Sequence, residues 1–263
     1  SDAIGGVVEI LPSSPPKDNG FWGDVSLIGK SNNDLLGTSV SANIKQNKWL
    51  LKARFTTQYY GDYRIPADTI VYLTWQMPVE KRRMKNTAGR EHNASFSATY
   101  NSDKLAWTLY VSDVYAKNGF FPGSHGIPDL SRLRDDGSYR NIEMPYSSVN
   151  HFKAISNTAL SFDKGKLMLD VGFQQNDRRE LSKFHTHYSD QPLPETNPDL
   201  ELSFLLNTLT INTHLLMNED SKWTYSVGIS SEIQQNSVGG YSFLLPEFKR
   251  YAAGAYWVNK LNV

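Results

Sequence analysis

The chain has 263 residues with 27 basic and 27 acidic side chains, and this zero net charge excludes the strongly basic surface typical of a nucleic-acid-binding protein. It contains no cysteine, which excludes disulfides, thiol catalysis and cysteine-ligated metals. Only 39% of the residues are hydrophobic and the mean hydropathy is -0.48, yet 12% are aromatic, a combination typical of strands that are apolar on one face only.

The chain opens with the glycine pair Gly5 and Gly6, followed by a short run of Val and Ile. A glycine pair before such a run predicts a tight turn that leads into a buried strand. Residues 11–20 carry three prolines and show no periodicity. They are therefore predicted to form a linker.

From residue 21 onward, runs of about ten residues alternate between apolar and polar side chains. The third run is the clearest, because Trp49, Leu51 and Phe55 share one face while Lys52 and Arg54 share the other. The alternation predicts ten strands, at about 22–31, 34–45, 49–59, 94–100, 105–111, 151–162, 167–178, 201–216, 223–232 and 249–263.

The connections between these strands fall into two length classes. After a short opening connection at 32–33, four tight turns are predicted, at about 46–47, 101–103, 163–166 and 218–220. They alternate with four long loops, at about 61–91, 116–148, 181–199 and 235–248, of which the first includes a short ribbon near 69–75. Bacterial outer-membrane barrels show this asymmetry, whereas the strands of a soluble sandwich are shorter.

Aromatic residues recur next to the tight turns on the apolar face. Trp49, Trp107 and Trp223 each follow such a turn, and Tyr100 precedes one. Amphipathic rings favour the boundary between lipid and water, so these four residues are predicted to form a girdle at one membrane interface. Charged residues of the other face are predicted to point away from lipid, namely Lys52, Arg54, Asp170, Arg178 and Glu232.

The first ten residues, SDAIGGVVEI, resemble the closing segment of the plug domain in TonB-dependent outer-membrane receptors, where a Gly-Ser-x-Ala-x-Gly-Gly-x-Ile-x-Ile pattern precedes the barrel. Gly5 and Gly6 occupy the glycine pair of that plug motif. Residues 62–68, 85–89 and 120–126 resemble segments of receptors from the Bacteroidetes-like branch of this family.

This resemblance implies a domain division and a fold. Residues 1–20 are expected to be the end of the plug domain and a linker, and residues 21–263 the N-terminal part of an antiparallel transmembrane β-barrel with meander order. The complete barrel of such a receptor has roughly 22 strands, of which this chain is expected to supply about ten. Most of the plug, the energy-coupling segment and the later strands would then lie outside it.

The resemblance also implies a function in the cell outer membrane. Such receptors take up a scarce nutrient, here a ferric siderophore, haem, cobalamin or a glycan, and the sequence does not choose among them. The implied partners are the TonB energy-transducing complex, the nutrient, outer-membrane lipid and, for a glycan, a surface lipoprotein. Binding and gating would be the mechanism, with no enzymatic step and no cofactor.

The loop at 116–148 is the predicted place of ligand contact, because long loops at barrel mouths carry function. Phe120 and Phe121 offer an apolar platform, and His125, Arg132 and Arg134 could meet an anionic group. The alternative role of this loop is to pack against the plug and brace the barrel.

Signals for catalysis or metal binding are weak. His185 and His187 lie near Glu180, Asp190 and Glu195, but a solvated loop explains them better than a metal site. Ser124, His125 and Asp129 contain the atoms of a triad without geometric support. The basic segment 80–85 fits contact with an anionic lipid or substrate as well as it fits an ordinary charged loop.

Two other function classes stay open. One is a passive porin or another small outer-membrane barrel; the plug-like opening and the final Asn262-Val263, in place of a terminal aromatic residue, count against it. The other is a soluble β-rich adhesin or lectin-like module, which would be extracted without detergent.

Overall fold

The structure is a computed structural model that describes residues 16–72, 74–122, 130–186, 188–218 and 222–261. In these ranges the chain is all-β, and the short helical turns are of the 3-10 type. None of the helices found there is long and apolar enough to cross a membrane. Gly5 and Gly6 lie outside the described residues, so the plug motif stays a prediction.

Twelve strands are present in these ranges. They are β1 (Gly20–Lys30), β2 (Leu35–Gln46), β3 (Trp49–Tyr60), β4 (Thr69–Tyr72), β5 (Trp75–Pro78), β6 (Gly89–Asn101), β7 (Leu105–Gly119), β8 (Tyr146–Phe162), β9 (Gly165–Leu181), β10 (Leu200–Met217), β11 (Trp223–Gly239) and β12 (Phe248–Leu261). Strands β4 and β5 form a separate hairpin. This hairpin confirms the short ribbon predicted near 69–75.

The other ten strands form one antiparallel sheet in the order β1-β2-β3-β6-β7-β8-β9-β10-β11-β12. Each main strand pairs with its neighbours along the chain, and β1 and β12 are the two edges. The predicted meander order is therefore confirmed. Three predicted tight turns are also present, since two or three residues join β2 to β3, β6 to β7 and β8 to β9. Five residues join β10 to β11, and most of the turn predicted there at 218–220 lies outside the described residues.

Several strands extend further toward the long loops than the sequence predicted. β7 continues to Gly119, although its apolar alternation ends near residue 111, and β6 begins at Gly89. Near these ends both faces carry polar side chains, so the period-two signal disappears while backbone pairing continues. The loop predicted at 116–148 is correspondingly shorter, because the strand pairing includes residues up to 119 and from 146.

One side-chain register runs through the whole sheet. Trp49 lies opposite Tyr100, which lies opposite Trp107, and the same row continues through β8, β9 and β10 to Ile229 on β11. Directly opposed residues point to the same face. Trp223, an even number of positions from Ile229, therefore shares its face with Trp49 and Trp107, as the girdle prediction requires.

The sheet has almost no core of its own. The accessible surface is 17432 Å², whereas a compact monomer of this mass exposes about 11600 Å². Among the described residues the largest fully buried side chains are Met77, on the β4–β5 hairpin, and Asn86, just before β6, so both lie outside the ten-stranded sheet. The described chain thus leaves most of the large apolar side chains of the sheet exposed.

The register can be tested by disulfide formation, because the chain has no native cysteine. Ala98 and Leu109 lie directly opposite each other, so the pair Ala98→Cys and Leu109→Cys should oxidise readily. The control pair Ala98→Cys and Tyr110→Cys puts the two thiols on opposite faces and should stay reduced. Equal oxidation of both pairs, measured by gel mobility, would show that the register is different.

Candidate functional site: the apolar band and the loop platform

The face that carries the three tryptophans is apolar over the half of the sheet nearest the tight turns. We call this region the apolar band. On the central strands it comprises the alternate residues on this face within 105–111 on β7, 152–160 on β8, 167–173 on β9 and 209–215 on β10. Many of its large side chains are strongly exposed, including Val25 (68%), Ile44 (45%) and Ile229 (57%). A continuous exposed apolar face of this extent marks an interaction surface.

Aromatic side chains border the band at both ends. At the turn end, the ring centroid of Trp49 lies 5.0 Å from that of Tyr100 and 6.2 Å from that of Trp107. At the loop end, His92 lies between Tyr59 and Tyr115, with ring centroids 5.3 Å and 6.2 Å away. The turn-end cluster contains three of the four predicted girdle residues. The loop-end cluster was not predicted from the sequence.

The opposite face of the sheet is polar. The register places all five charged residues predicted to avoid the apolar face on this side, namely Lys52, Arg54, Asp170, Arg178 and Glu232. Several of them pair there. Arg54 lies 3.2 Å from Asp24, and Glu232 lies 2.8 Å from Arg250.

The loop-side connections fold into a compact layer, which we call the loop platform (61–72, 74–88, 120–122 and 130–145). Met77, Val79 and Leu133 are among its buried apolar side chains. Here the chain makes the packed apolar cluster that the sheet lacks. The platform therefore joins the connection after β3 to the connection after β7.

Asn86 is the centre of that junction, and its side chain is 1% exposed. Its Nδ2 donates to the carbonyl oxygens of Phe120, Glu143 and Pro145 at 2.8 to 3.0 Å. Its Oδ1 accepts from the Glu143 amide at 2.7 Å. One side chain thus binds both ends of the connection between β7 and β8.

Asp62 stabilises the connection between β3 and β6. Its Oδ1 accepts from the backbone amides of Thr87 at 2.7 Å and Ala88 at 3.0 Å. Burial raises the pKa of Asp62, against the lowering effect of these amides and of Lys85. The segments 62–68, 85–89 and 120–126, which carry the family resemblance, therefore meet in the platform through their described residues.

The basic segment 80–85 is compensated by carboxylates of the platform and by Asp34 in the connection between β1 and β2. Four ion pairs do this: Lys81 with Asp135, Arg82 with Asp68 at 2.8 Å, Arg83 with Asp34 at 2.6 Å, and Lys85 with Asp136 at 2.6 Å. Burial by itself would raise the pKa of Asp136, but hydrogen bonds from Lys85, Asn141 and Ser138 outweigh it and lower the pKa to about 2. No sequence pattern indicates these acidic partners, because most of them come from distant positions.

The residues predicted to bind ligand are divided between exposed and bracing positions. The Phe120 side chain is 39% exposed, while its backbone amide donates to Pro145. Arg132 donates to the carbonyl oxygen of Met144, and Arg134 is exposed. Phe121 is half-buried, and His125 lies outside the described residues. A cleft opens elsewhere in the platform, lined by Asp62, Glu80, Lys81, Arg83, Lys85, Leu133, Asp135, Gly137 and Tyr139.

The weak catalytic and metal signals gain no geometric support. Within the described ranges, no three His, Asp or Glu side chains are placed to hold a metal ion. His187, Ser124 and Asp129 lie outside those ranges. Both signals, which the sequence already disfavours, thus include residues outside what the structure describes.

No protein-family model matches the sequence, and no curated protein matches it either. A function for this chain is therefore inferred from the chemistry of its surface and from the resemblance of residues 1–10, 62–68, 85–89 and 120–126.

Substitution of Asn86 tests the platform. Asn86→Ala should loosen residues 130–145, because the carbonyl oxygens of Phe120 and Glu143 and the Glu143 amide lose the side chain that pairs with them, while the Pro145 carbonyl keeps the Phe120 amide. Each buried group left unpaired lowers the stability by about 1–3 kcal/mol. Hydrogen exchange should show faster exchange in 130–145 and unchanged exchange in β8 to β10. The control Asn32→Ala removes an exposed side chain with one hydrogen bond and should have little effect. Unchanged protection in Asn86→Ala would contradict the assigned role.

Proposed function

We propose that the chain is the N-terminal part of the barrel of a TonB-dependent outer-membrane receptor that takes up a scarce nutrient. The observation that carries the membrane assignment is the apolar band with aromatic side chains at both ends. The resemblance of 1–10, 62–68, 85–89 and 120–126 favours the TonB-dependent family over other barrels.

The dimensions of the band support insertion in a bilayer. Trp49 and Tyr59 are ten residues apart on β3, about 33 Å along the strand at about 3.3 Å per residue. For a strand tilted by about 35° this corresponds to about 27 Å across the membrane, close to the roughly 25 Å of a barrel's apolar girdle. The two aromatic clusters then lie at the two interfaces.

The stagger of the turns supports the same tilt. The row that contains Trp49 reaches β11 at Ile229, six strand steps away, and Trp223 lies six residues beyond it toward the turn. A stagger of about one residue per strand, with about 3.3 Å per residue and about 4.8 Å between strands, corresponds to a tilt of about 35°. Trp49 and Trp223 then lie at one height, with Trp107 two residues nearer the loops.

The two edges of the sheet also fit a larger barrel. β1 and β12 have 11 and 14 residues, and each presents one side without a strand partner among the described residues. Long unpaired edges invite aggregation unless they are covered. In the proposed receptor, further strands of the barrel cover both.

The family assignment is tested by the coding sequence on either side. We expect a TonB box and a complete plug upstream and about twelve more strands downstream, which together give a barrel of about 22 strands. An upstream signal peptide joined directly to residue 1 would contradict the receptor and leave a smaller barrel.

The membrane assignment is tested by a charge placed on each face of β10. Ile211→Arg puts a cation on the apolar band and should destabilise the protein in lipid by about 2–4 kcal/mol. Asn212→Arg puts the same charge on the polar face and should cost little. Unfolding free energies measured by urea titration in lipid vesicles would distinguish them. Equal values, or folding of the wild type without lipid or detergent, would contradict the assignment.

The loop prediction concerns ligand affinity in the full-length receptor. Replacing Phe120, Phe121 and His125 with Ala should weaken binding at least tenfold, about 1.4 kcal/mol. Thermal stability should change little, because the backbone hydrogen bonds of Phe120 remain. Calorimetry with a ferric siderophore, haem, cobalamin and an oligosaccharide identifies the ligand first. Phe162→Ala, an exposed ring near a tight turn, is the control. Unchanged affinity excludes this loop from the site, and lost stability favours bracing.

A further inference from the structure

Three cations form a row across the sheet just beyond the apolar band, and we call them the basic row: Arg90, Lys117 and Arg179. Arg90 lies directly opposite Lys117 on the neighbouring strand. Lys117 lies opposite Ser148, and Ser148 lies opposite Arg179. All point to the side of the sheet that carries the apolar band, because they share its register.

The pairing of Arg90 with Lys117 needs an explanation, because like charges directly opposite each other on adjacent strands are destabilising. Among the described residues, neither cation has a carboxylate within ion-pair distance. Glu91, next to Arg90 in sequence, points to the polar face because successive side chains alternate. The Lys117 ammonium lies 3.8 Å from the ring centroid of Tyr146, which positions the charge without neutralising it.

The position of the basic row relates it to the membrane. Tyr59 lies directly opposite Arg90, and Tyr115 lies two residues before Lys117 on the same strand. The row is therefore level with the loop-end aromatic cluster. In a barrel that spans the bilayer, this is the level of the lipid headgroups of the outer leaflet.

We propose that Arg90 and Lys117, extended by Arg179, bind the phosphate of a phosphorylated lipid headgroup in the outer leaflet. An arginine fork can bind a phosphate through two parallel hydrogen bonds, and the lysine adds a point charge beside it. Arg179 already pairs with Asp177 at 2.8 Å, so it supports the site from its edge. The inference rests on the proposed membrane function.

A lipid fits this site better than a free anion. The basic row is lined with Tyr115, Tyr146 and Ser148, and the apolar band begins at Val111 on the same face, beyond Tyr115 and Asp113. Acyl chains attached to the phosphate can cover Val111 and Leu109 of the same strand, whereas inorganic phosphate covers neither. The row and the band together match an amphiphile with an anionic head.

The test is binding of bisphosphorylated lipid A to the full-length protein in phosphatidylcholine nanodiscs. We expect the double variant Arg90→Gln, Lys117→Gln to bind at least tenfold more weakly than the wild type. The control Lys52→Gln, Lys153→Gln removes the same charge from the polar face and should bind as the wild type does. Without lipid A the first variant should melt no lower than the wild type, because a repulsion has been removed.

The contrary outcomes are distinct. Unchanged affinity in the Arg90→Gln, Lys117→Gln variant, or equal affinity for dephosphorylated lipid A, would overturn the site. If inorganic phosphate binds as tightly as lipid A, the ligand of the site is a free anion, and the proposal of a lipid is overturned. If the protein inserts in nanodiscs but fails these tests, only the lipid site is overturned and the proposed function stands. Protein that does not insert overturns both.

Discussion

A single side-chain register, continued through ten antiparallel strands, is the constraint on which the structure depends. Since residues alternate between the faces, a one-residue slip on β3 would exchange Trp49 and Phe55 with Lys52 and Arg54. The tight turns keep the register between strand pairs, and a register shift lies between Leu200 and Leu202, at the loop end. There both faces are already mixed, so the shift moves no charge onto the apolar band.

The distribution of buried residues explains why the two ends of the sheet differ. The tight-turn half has exposed apolar side chains on one face and paired charges on the other, so its stability depends on what covers them. At the loop end, the connections after β3 and β7 pack on each other, and Asn86 and Asp62 satisfy backbone groups of this platform. Both ends reflect the cost of unfavourable contacts: a buried polar group is destabilising without a hydrogen-bond partner, and a large apolar face is unfavourable in water.

The sequence predicted the parts of the fold that have a period and missed those that depend on distant contacts. Alternation in β3 or β9 is a local signal, and tight turns carry their own composition. The loop ends of β6 and β7 were missed because polar residues occupy both faces there. Asn86 was missed because its partners are mostly backbone carbonyls more than thirty positions away, which leave no mark on composition. The compensation of Lys85 by Asp136 was missed for the same reason.

The most direct test of the central claim is the accessibility of spin labels placed singly along β9 from 166 to 179 in lipid vesicles. We predict that oxygen, which concentrates in lipid, reaches positions 167, 169, 171 and 173 strongly and the alternate positions weakly. The alternation should fade toward 177 and 179, where a water-soluble nickel reagent takes over. Equal access of the nickel reagent to both faces of 166–173 would contradict a membrane-facing apolar band.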